Sequence, residues 1–462
     1  MKFYLIACLG SRVLLSFDIT LKERQESLSM EKQQTSSNRR DFMKMAGAAA
    51  GTALALGFPA IISAQTVTNA LKVGLIGCGG RGTGAASQAL HPDAHVELTA
   101  VGDVFQPQID AALAELGRIS KIAECVKVDK ANQFVGLDAY QKVLDSGIDV
   151  VLIAPPPGFH AQHLAAAVEA GKHIFCEKPA ATDAPGIRSV LASADRASSK
   201  NLSLVAGFCW RYNDMVIDTF KQVQNGAIGK VISYDATYYT NPVKPMPPAS
   251  SRPAGMSDTE WQIANWYNFV WLCGDSLVEQ AVHNADKIAW MMNDQPPTSC
   301  VAVGGRVVSA EGGNIYDHFA VNYLYPNGVR ATLANRQIEG CYNETADYIM
   351  GSDGTCTLGR SPVPRIEGKT NWTWSGQKYD MYQREHDVLF ASIRQHKPVN
   401  DGKRLATSTL LAIMGRMAAY TGQEITWDQA LNSQENLFPD HLAWDGSLPV
   451  PPRAEPGITK LV

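Results

Sequence analysis

A glycine-rich turn near residue 80 is the first stretch of the sequence whose residue types point to a chemistry. It carries a G-x-G-x-x-G pattern that directly follows a short apolar run, Leu71–Ile76. In such a pattern one glycine allows a tight turn, one lets the backbone approach a pyrophosphate, and one allows close packing of helix and strand. The phosphates then lie on free N–H groups at the positive end of the following helix. The predicted dinucleotide-binding residues here are Gly77, Gly79, Gly80, Arg81 and Gly82.

An acidic residue follows at the distance that a dinucleotide site requires. A second apolar run, Val96–Val101, ends at Gly102 and Asp103, roughly 20 residues beyond the glycines. A carboxylate at this point accepts hydrogen bonds from both ribose hydroxyls of an adenosine and disfavours a 2′-phosphate, so the pattern favours NAD over NADP. The alternative is a glycine-rich surface turn with an incidental aspartate.

The elements around this motif alternate between strand and helix patterns. Such alternation predicts an α/β fold with a doubly wound parallel sheet, whose ligands lie at the carboxyl ends of the strands. We assign residues 66–207 to this N-terminal Rossmann domain. Beyond the two apolar runs, the predicted strands are Val126–Val128, Ile148–Ala154, His173–Cys176 and Leu202–Ala206, and the predicted helices are Gln108–Gly117, Ala139–Ser146, His160–Ala170 and Thr182–Ser199.

The pattern changes after about residue 213. One helix, Asp214–Gln224, leads into strands that alternate in polarity and are separated by tight turns, which predicts a mostly antiparallel open sheet with one face covered. We assign 208–400 to this α/β substrate and oligomerisation domain. Residues 401–462 are predicted to form C-terminal helices and a tail that pack back on the Rossmann domain. The predicted strands are Val231–Tyr239, Cys300–Val308, His318–Tyr325, Gly328–Asn335, Asp347–Gly351 and Thr355–Leu358, and the late helices are Gln383–Gln395 and Leu405–Tyr420.

Composition describes an ordinary globular protein. The chain has 462 residues, of which 45% are hydrophobic and 19% charged, and a net charge of −4. This balance gives no reason to expect a nucleic acid as a partner. The nine cysteines include no C-x-x-C pair, so we predict neither a disulfide framework nor a metal site.

The first 65 residues resemble a targeting segment. Arg39 and Arg40 are followed by Phe42 and Lys44 and then by a weakly apolar stretch that ends near Ala64. Twin arginines in this setting are typical of a Tat signal, which predicts export to the periplasm by the Tat machinery. The alternatives are an uncleaved anchor and, for Cys8, a weaker lipoprotein signal. Residues 1–29 are a candidate misassigned start. Tat substrates cross the membrane folded, so NAD would be loaded in the cytoplasm and held tightly.

Several strings across the chain resemble the Gfo/Idh/MocA family of glucose–fructose oxidoreductases and inositol dehydrogenases. The most specific is A-G-K-H-I-F-C-E-K-P at Ala170–Pro179. The likeness continues at Gly207–Tyr212, Gly226–Lys230, Glu385–His386 and Ser408–Arg416. The resemblance implies an NAD(P)-dependent oxidoreductase acting on CH–OH groups, with a Rossmann domain joined to an open-sheet α/β domain, and it implies a homo-oligomer.

In that family the lysine of E-K-P lies beside the nicotinamide and contacts the substrate hydroxyl, and here it is Lys178. A cation at that point orients an alcohol oxygen and stabilises negative charge on it as hydride leaves. The alternative is an exposed lysine before a helix-starting proline. The cofactor contacts implied by the resemblance are Ala154, Pro155, His160, Glu177, Lys178 and Arg211.

The family's second catalytic element is an acid followed four residues later by histidine. A predicted helix over Ser276–Met292 places Glu279, His283 and Asp286 at i, i+4 and i+7 on one face. His283 is the candidate general acid/base. Glu279 would hold its imidazole or contact a sugar hydroxyl, and Asp286 would join the substrate site. The commoner family pattern has Asp before the His. The alternatives are a capping box between Ser276 and Glu279 and a satisfied core histidine.

An insertion between Asn241 and Gly274 is rich in proline and tryptophan. Trp266 and Tyr267 are predicted to contact the substrate, because aromatic faces stack on the apolar faces of sugar rings. A subunit interface is an equally good explanation, since Trp and Tyr are enriched there.

Together these features predict an exported NAD-dependent oxidoreductase. It would transfer hydride between the nicotinamide and a secondary hydroxyl of a sugar, glycoside or cyclitol. One alternative is an NAD-dependent glycosidase or lyase that oxidises its substrate only transiently. The other is a ligand-binding protein that has kept the fold and lost turnover.

Overall fold

The computed structural model of the protein describes residues 70–91, 95–308 and 312–462. The predicted Tat segment lies outside these residues. The described residues belong to one compact unit. None of the helices in these ranges is both long enough and apolar enough to span a membrane.

The first half of the described chain builds a parallel sheet of six strands in the order β3-β2-β1-β4-β5-β6. This is the doubly wound sheet predicted from the sequence, and the prediction is confirmed. The strands are β1 (Leu71–Ile76), β2 (Val96–Asp103), β3 (Gln133–Val135), β4 (Val150–Ile153), β5 (His173–Cys176) and β6 (Leu204–Ala206). The helices are α1 (Gly80–Ala89), α2 (Gln106–Arg118), α3 (Ala139–Asp145), α4 (His160–Glu169) and α5 (Ala184–Ser199).

Two apolar clusters lie on the opposite faces of this sheet. Along β4, Val151 and Ile153 belong to one cluster, whereas Val150 and Leu152 belong to the other. All four side chains are completely buried. Burial on both faces explains why these strands are continuous apolar runs rather than alternating ones.

The prediction of a third strand at Val126–Val128 is wrong. The strand is Gln133–Val135, which pairs with the last three residues of β2, and Val126 makes only an isolated bridge to Leu98. The apolar pattern pointed to the wrong segment because an edge strand of three residues is fixed by its partner rather than by its own composition.

The second half of the described chain builds a sheet of nine strands in the order β14-β13-β12-β11-β7-β10-β9-β8-β15. Only β7 and β10 pair in parallel, so the sheet is mostly antiparallel as predicted. The strands are β7 (Val231–Thr240), β8 (Ser299–Gly305), β9 (His318–Leu324), β10 (Arg330–Gln337), β11 (Glu344–Gly351), β12 (Gly354–Leu358), β13 (Arg365–Gly368), β14 (Trp372–Thr373) and β15 (Ile425–Thr426). The helices are α6 (Asp214–Gln224), α7 (Asp258–Ala264), α8 (Val270–Cys273), α9 (Ser276–Glu279), α10 (Val282–Met291), α11 (Met381–Arg394), α12 (Gly402–Thr421) and α13 (Trp427–Asn432).

Helices α11 and α12 join the two sheets. Helix α12 packs against α5 on one side and against β8 and α10 on the other. Helix α11 packs on α1 and β6, and the Gln383 side chain donates to the carbonyl of Gln88 at 3.0 Å. These contacts fix the Rossmann sheet against the open sheet, which gives the site between them a defined geometry.

The helix predicted over Ser276–Met292 is interrupted. It consists of α9 and α10, which are separated at Gln280 and Ala281. The N-cap of α9 is Asp275, whose carboxylate accepts from the Ser276 N–H at 2.5 Å. The Ser276 hydroxyl donates to Asn335 instead, so the capping box considered above does not form. Neither Gly nor Pro marks the break, which explains why the sequence did not reveal it.

Candidate active site between the two sheets

The glycine turn has the shape of a phosphate cradle. A Cβ at Gly77, where φ is +88°, would lie 2.5 Å from the backbone nitrogen of Pro155, and one at Gly82 would lie 1.9 Å from the carbonyl oxygen of Gly77. Added Cβ atoms at Gly79 and Gly80 would meet no atom within 4 Å. The first pair therefore closes the turn, while the second faces open space at the start of α1. Gly79 caps α1 without a side chain, which leaves first-turn N–H groups for an anion.

Asp103 ends β2 beside this turn. Its carboxylate accepts from the N–H of Cys78 at 2.7 Å and from the N–H of Phe105 at 2.9 Å. Burial raises the pKa of Asp103, and these N–H donors oppose the rise. Each oxygen accepts more than one hydrogen bond, so the carboxylate remains able to receive the ribose hydroxyls. The residues present thus fit a dinucleotide.

A cavity of about 660 Å³ runs along the carboxyl ends of the parallel strands. Its volume falls in the usual range for small-molecule and cofactor sites. It is lined on one side by the glycine turn and Asp103 and on the other by the insertion. The predicted site residues that line it are Gly77, Gly79, Gly80, Arg81, Asp103, Ala154, Pro155, Trp266 and Tyr267.

Lys178 follows β5 and reaches the acid of the broken helix. Its ammonium donates to the Glu279 carbonyl at 2.6 Å and to the Glu279 carboxylate at 3.0 Å. Burial alone would lower the pKa of Lys178, but Glu279 and then Glu177 outweigh it and the pKa lies above its usual value. Two of the three ammonium donors are used, so one N–H is left for a ligand. The Lys178 side chain retains 11% exposure, but neither Lys178 nor Glu279 is among the residues that line the cavity described above.

Two residues that the sequence analysis missed extend this ion pair. The second carboxylate oxygen of Glu279 accepts from the Gln280 amide. The Gln280 oxygen in turn accepts from the Tyr238 hydroxyl at 2.9 Å. The result is a hydrogen-bonded chain from Tyr238 to Lys178. The alternation of Tyr234, Ala236 and Tyr238 along β7 was the available signal, because the first two side chains are buried on the helix-covered face.

His283 lies on α10, four residues after Glu279. The predicted hydrogen bond between these two side chains does not form, because Glu279 binds Lys178 and Gln280 instead. Its Nδ1 is buried and has no hydrogen-bond partner in the described part of the chain, although the residue itself is partly exposed. Burial lowers the pKa of His283 well below its usual value, and the charges of Lys178, Lys287 and Arg81 add to the effect. A satisfied core histidine would have partners for its ring. The lowered pKa favours the neutral form of the imidazole, which is the form that can accept a proton.

The structure corrects the roles predicted for Asp286 and Arg211. Asp286 is completely buried. Its carboxylate accepts from the Arg211 Nε at 2.9 Å and from the Ser408 hydroxyl at 2.8 Å. Arg211 also binds Asp294 at 2.6 Å. These groups hold one another and are closed to a substrate or cofactor. The i+7 spacing predicted a shared face only for an unbroken helix.

The predicted cofactor contact of His160 is also corrected. Its ring nitrogens lie 2.7 Å from the Pro179 carbonyl and 2.8 Å from the Pro155 carbonyl. The residue is 1% exposed and does not line the cavity. His160 therefore ties the loop after β4 to the loop after β5 and positions both.

Arg81 connects the cavity to the Glu385–His386 motif. It forms an ion pair with Glu177 and a second with Glu385 at 3.0 Å. Burial and the charge of Glu177 raise the pKa of Glu385 well above its usual value. The motif on α11 thus anchors Arg81 and Glu177 beside the site, a role that the resemblance alone did not explain.

The aromatic pair of the insertion faces the site. The rings of Trp266 and Tyr267 stack with centroids 3.8 Å apart, and both side chains line the cavity. Burial and then the nearby charge of Glu279 raise the pKa of Tyr267, which places this ring close to the Lys178 ion pair. The indole of Trp271, by contrast, donates to Gln262 at 2.8 Å and packs in the protein interior.

The residues that the structure describes contain no candidate metal site. No group of three or more His, Cys, Asp or Glu side chains there is placed to hold an ion. The eight cysteines that the structure describes are free thiols.

Comparisons with known proteins agree with this geometry. A family model for an oxidoreductase family with an NAD-binding Rossmann fold matches residues 71–204, and a model for the GFO/IDH/MocA C-terminal domain matches residues 220–357. An inositol 2-dehydrogenase/D-chiro-inositol 3-dehydrogenase of Lactiplantibacillus plantarum is 25% identical over 337 residues, covering 71% of this chain and 84% of that protein. A glycosyl hydrolase family 109 protein of Shewanella sp. is 23% identical over 418 residues, covering 82% and 87%.

Solved structures share the fold. Aldose–aldose oxidoreductase from Caulobacter crescentus matches with a TM-score of 0.60 at 17% identity, over 78% of this chain and 100% of that one. A levoglucosan dehydrogenase in complex with NADH and levoglucosan matches with a TM-score of 0.60 at 19% identity, over 78% and 99%. With both family models matched in their expected order, the chain belongs to the Gfo/Idh/MocA family and is an NAD-dependent oxidoreductase of the class that acts on CH–OH groups.

Proposed function

We propose that this enzyme transfers hydride between NAD and a secondary hydroxyl of a sugar, glycoside or cyclitol. The observation that carries the proposal is that Lys178 binds Glu279, four residues before His283 on the broken helix. Lys178 keeps one N–H that makes no hydrogen bond, and the imidazole of His283 is partly exposed. An alcohol oxygen needs one donor to hold it and one base to take its proton.

The residues divide the reaction between them. Bound NAD supplies a hydride acceptor at C4 of its nicotinamide. The ammonium of Lys178 binds the substrate oxygen, and neutral His283 takes the hydroxyl proton while the C–H bond gives up its hydride and the C–O bond becomes C=O. Glu279 keeps Lys178 charged and holds it in place. Reduction of a ketone uses the same groups in reverse.

A ring-shaped polyol suits the remaining walls. Trp266 and Tyr267 present stacked aromatic rings to the cavity, and aromatic faces pack against the C–H faces of sugar rings. The relatives named above as inositol and levoglucosan dehydrogenases act on ring-shaped polyols by their names. Both observations favour a cyclic substrate.

The purified enzyme tests the proposal directly. Mass spectrometry of the nucleotide released on denaturation identifies the cofactor. A panel of inositols, anhydrosugars and glycosides is then added while the absorbance of reduced nicotinamide is followed. We expect a stoichiometric rise with at least one cyclic polyol and its loss in Lys178→Met, with the exposed Lys403→Met as the matched control. Binding of such compounds with neither a rise nor cleavage would contradict the proposal.

Glycoside cleavage without net redox is the second candidate. It is favoured by the match to a glycosyl hydrolase family 109 protein over 82% of this chain. The first step would be the same oxidation, which acidifies the neighbouring C–H and permits elimination, and the cofactor would be reoxidised at the end. Release of the aglycone with no lasting change in reduced nicotinamide would distinguish this function from net dehydrogenation.

We also propose that the enzyme is exported by the Tat pathway, on the strength of Arg39 and Arg40 ahead of a weakly apolar stretch. The full chain and a variant with Arg39→Lys and Arg40→Lys would be compared by cell fractionation. We expect the natural chain in the periplasm and the variant in the cytoplasm. Equal distribution of both would refute export by this route.

A further inference from the structure

The cavity at the dinucleotide site has a second wall that comes from a distant part of the chain. One wall is the glycine turn and Asp103. The other is built by Lys244, Ile263, Ala264, Trp266 and Tyr267, all within the insertion. Because both walls bound the same cavity of about 660 Å³, a dinucleotide lying on the first wall is covered by the second.

The insertion is held in place by the C-terminal tail. The Ser257 hydroxyl donates to the carbonyl of Trp444. The Gln262 amide donates to the Leu448 carbonyl at 2.5 Å, and the Leu448 N–H donates to Asp258 at 3.0 Å. The Ser447 hydroxyl also donates to Asp258 at 3.2 Å, so four hydrogen bonds fasten Ser257 and the insertion helix α7 to residues 444–448.

The same tail also touches the first wall. The indole of Trp444 meets the ring of Phe105 edge-on, with centroids 5.4 Å apart. Phe105 donates its N–H to the Asp103 carboxylate at 2.9 Å. Trp444 therefore bridges the insertion and the turn that receives the adenosine ribose. Apolar side chains from all three segments form one cluster around this bridge, among them Phe105, Ile263, Trp266, Trp444 and Leu448.

A positively charged side chain lies on the wall that the insertion forms. Lys244 lies at the rim of the cavity, and its ammonium donates to the Ala264 carbonyl at 2.5 Å. No carboxylate is ion-paired with it among the residues that the structure describes. Two ammonium donors and a full positive charge therefore remain for an anion in the cavity.

We infer that the insertion and the tail residues 444–448 form a strap that retains NAD, and that Lys244 is the strap's contact to the pyrophosphate. The inference rests on NAD binding and on no particular substrate. Release of the dinucleotide then requires the Trp444 bridge to separate, so the cofactor stays bound through many turnovers.

Exchange of the bound cofactor tests the strap without any substrate. Enzyme carrying NAD is mixed with excess isotopically labelled NAD, and the label retained by the protein is followed by mass spectrometry. We expect Trp444→Ala to speed exchange by roughly tenfold or more, because loosened contacts act mainly on dissociation rates. Trp372→Ala is the matched control, since Trp372 is also half-buried but lies on the edge strand β14.

The role of Lys244 has its own readout. Lys244→Met is expected to speed exchange by about threefold to tenfold, with a larger difference at low salt because the lost contact is ionic. Lys403→Met serves as the control. If Lys244→Met leaves exchange unchanged and raises only the KM of an anionic substrate, the lysine serves the substrate and this part of the inference is overturned.

A second measurement covers the case in which Trp444→Ala fails to fold. Hydrogen exchange of the natural enzyme, with and without NAD, should show slower exchange across 257–264 and 444–448 when NAD is bound. Equal hydrogen exchange with and without NAD would overturn the proposed strap. Equal rates of NAD release from Trp444→Ala and Trp372→Ala would overturn it as well. Either result would leave the proposed hydride transfer to polyols unaffected. Conversely, an enzyme that oxidises no polyol can still be tested in the cofactor-exchange assay.

Discussion

Two ion pairs join the Rossmann strands to the broken helix, and they serve different ends. Arg211 binds Asp286 in a buried setting where Ser408 and Asp294 complete the hydrogen bonding. Lys178 binds Glu279 where its side chain keeps 11% exposure, with one donor unused.

The two ion pairs differ in how many of their donors and acceptors have partners, and they do not differ in charge. Each pair consists of one basic and one acidic side chain, and the two acids are seven residues apart. A pair whose donors and acceptors are all satisfied has a structural role. A pair with a donor left over, whose acid lies on the broken helix that also carries the partly exposed imidazole of His283, is suited to hold and deprotonate an alcohol.

The largest effect is expected from Lys178→Met. Removing the cation that stabilises charge on the substrate oxygen should lower kcat/KM by about 10³-fold. The fall in Tm should be smaller than for Arg211→Met, because the side chains of this pair are 11% and 6% exposed and those of the Arg211 pair only 5% and 1%. Steady-state kinetics and a thermal melt measure the two quantities. A variant that keeps more than a tenth of the natural kcat/KM would end the proposed role of Lys178.

Arg211→Met should give the opposite pattern, a large loss of stability with little loss of activity. It leaves Asp286 buried without its main partner, which costs about 3–5 kcal/mol of folding free energy for pairs of this kind. Urea unfolding measures the loss, and kcat of the fraction that stays folded should remain within about twofold of natural. A large loss of kcat with unchanged stability would show that Arg211 acts in catalysis and would remove the contrast between the two pairs.

His283 sharpens the comparison through pH. Its pKa lies well below the usual histidine value, and a base works only when unprotonated. The kcat/KM for oxidation should therefore stay level as pH falls through about 6.5 and decline only at lower pH. His283→Gln should lower the rate by about 10²-fold or more and abolish that acidic limb. An acidic limb centred at or above the usual histidine pKa would contradict the assignment.

The smallest effect is expected from Glu279→Gln. Gln keeps an oxygen for Lys178 and loses only the charge, so kcat should fall by roughly tenfold. Loss of the carboxylate also removes the main influence that raises the pKa of Lys178, which should shift the alkaline limb of the pH profile to lower pH. An unchanged alkaline limb would show that Glu279 does not control the protonation of Lys178.

The sequence predicted the Rossmann half of the molecule well because its signals are local. Glycines at 77 and 82 are required by atoms within 3 Å of their missing side chains, and β4 is apolar at every position because it is buried on both faces. The strand His173–Cys176 has the bounds that were predicted.

The errors share a different cause. The third strand and the burial of Asp286 each depend on a partner far along the chain, β2 and Arg211 respectively. Periodicity reports which face of an element is apolar. It does not report which polar residue will find its partner across the interior.

The amino-acid sequence by itself indicated the dinucleotide cradle and favoured NAD, since both follow from residue type and short spacing, and its resemblance to the family pointed to Lys178 and His283. Only the tertiary structure decided that Arg211 closes off Asp286 while Glu279 binds Lys178, and that the insertion lines the same cavity as the glycine turn. The physical reason is that exposure and hydrogen-bond satisfaction are properties of the packed chain. A side chain acquires them only when its distant neighbours are in place.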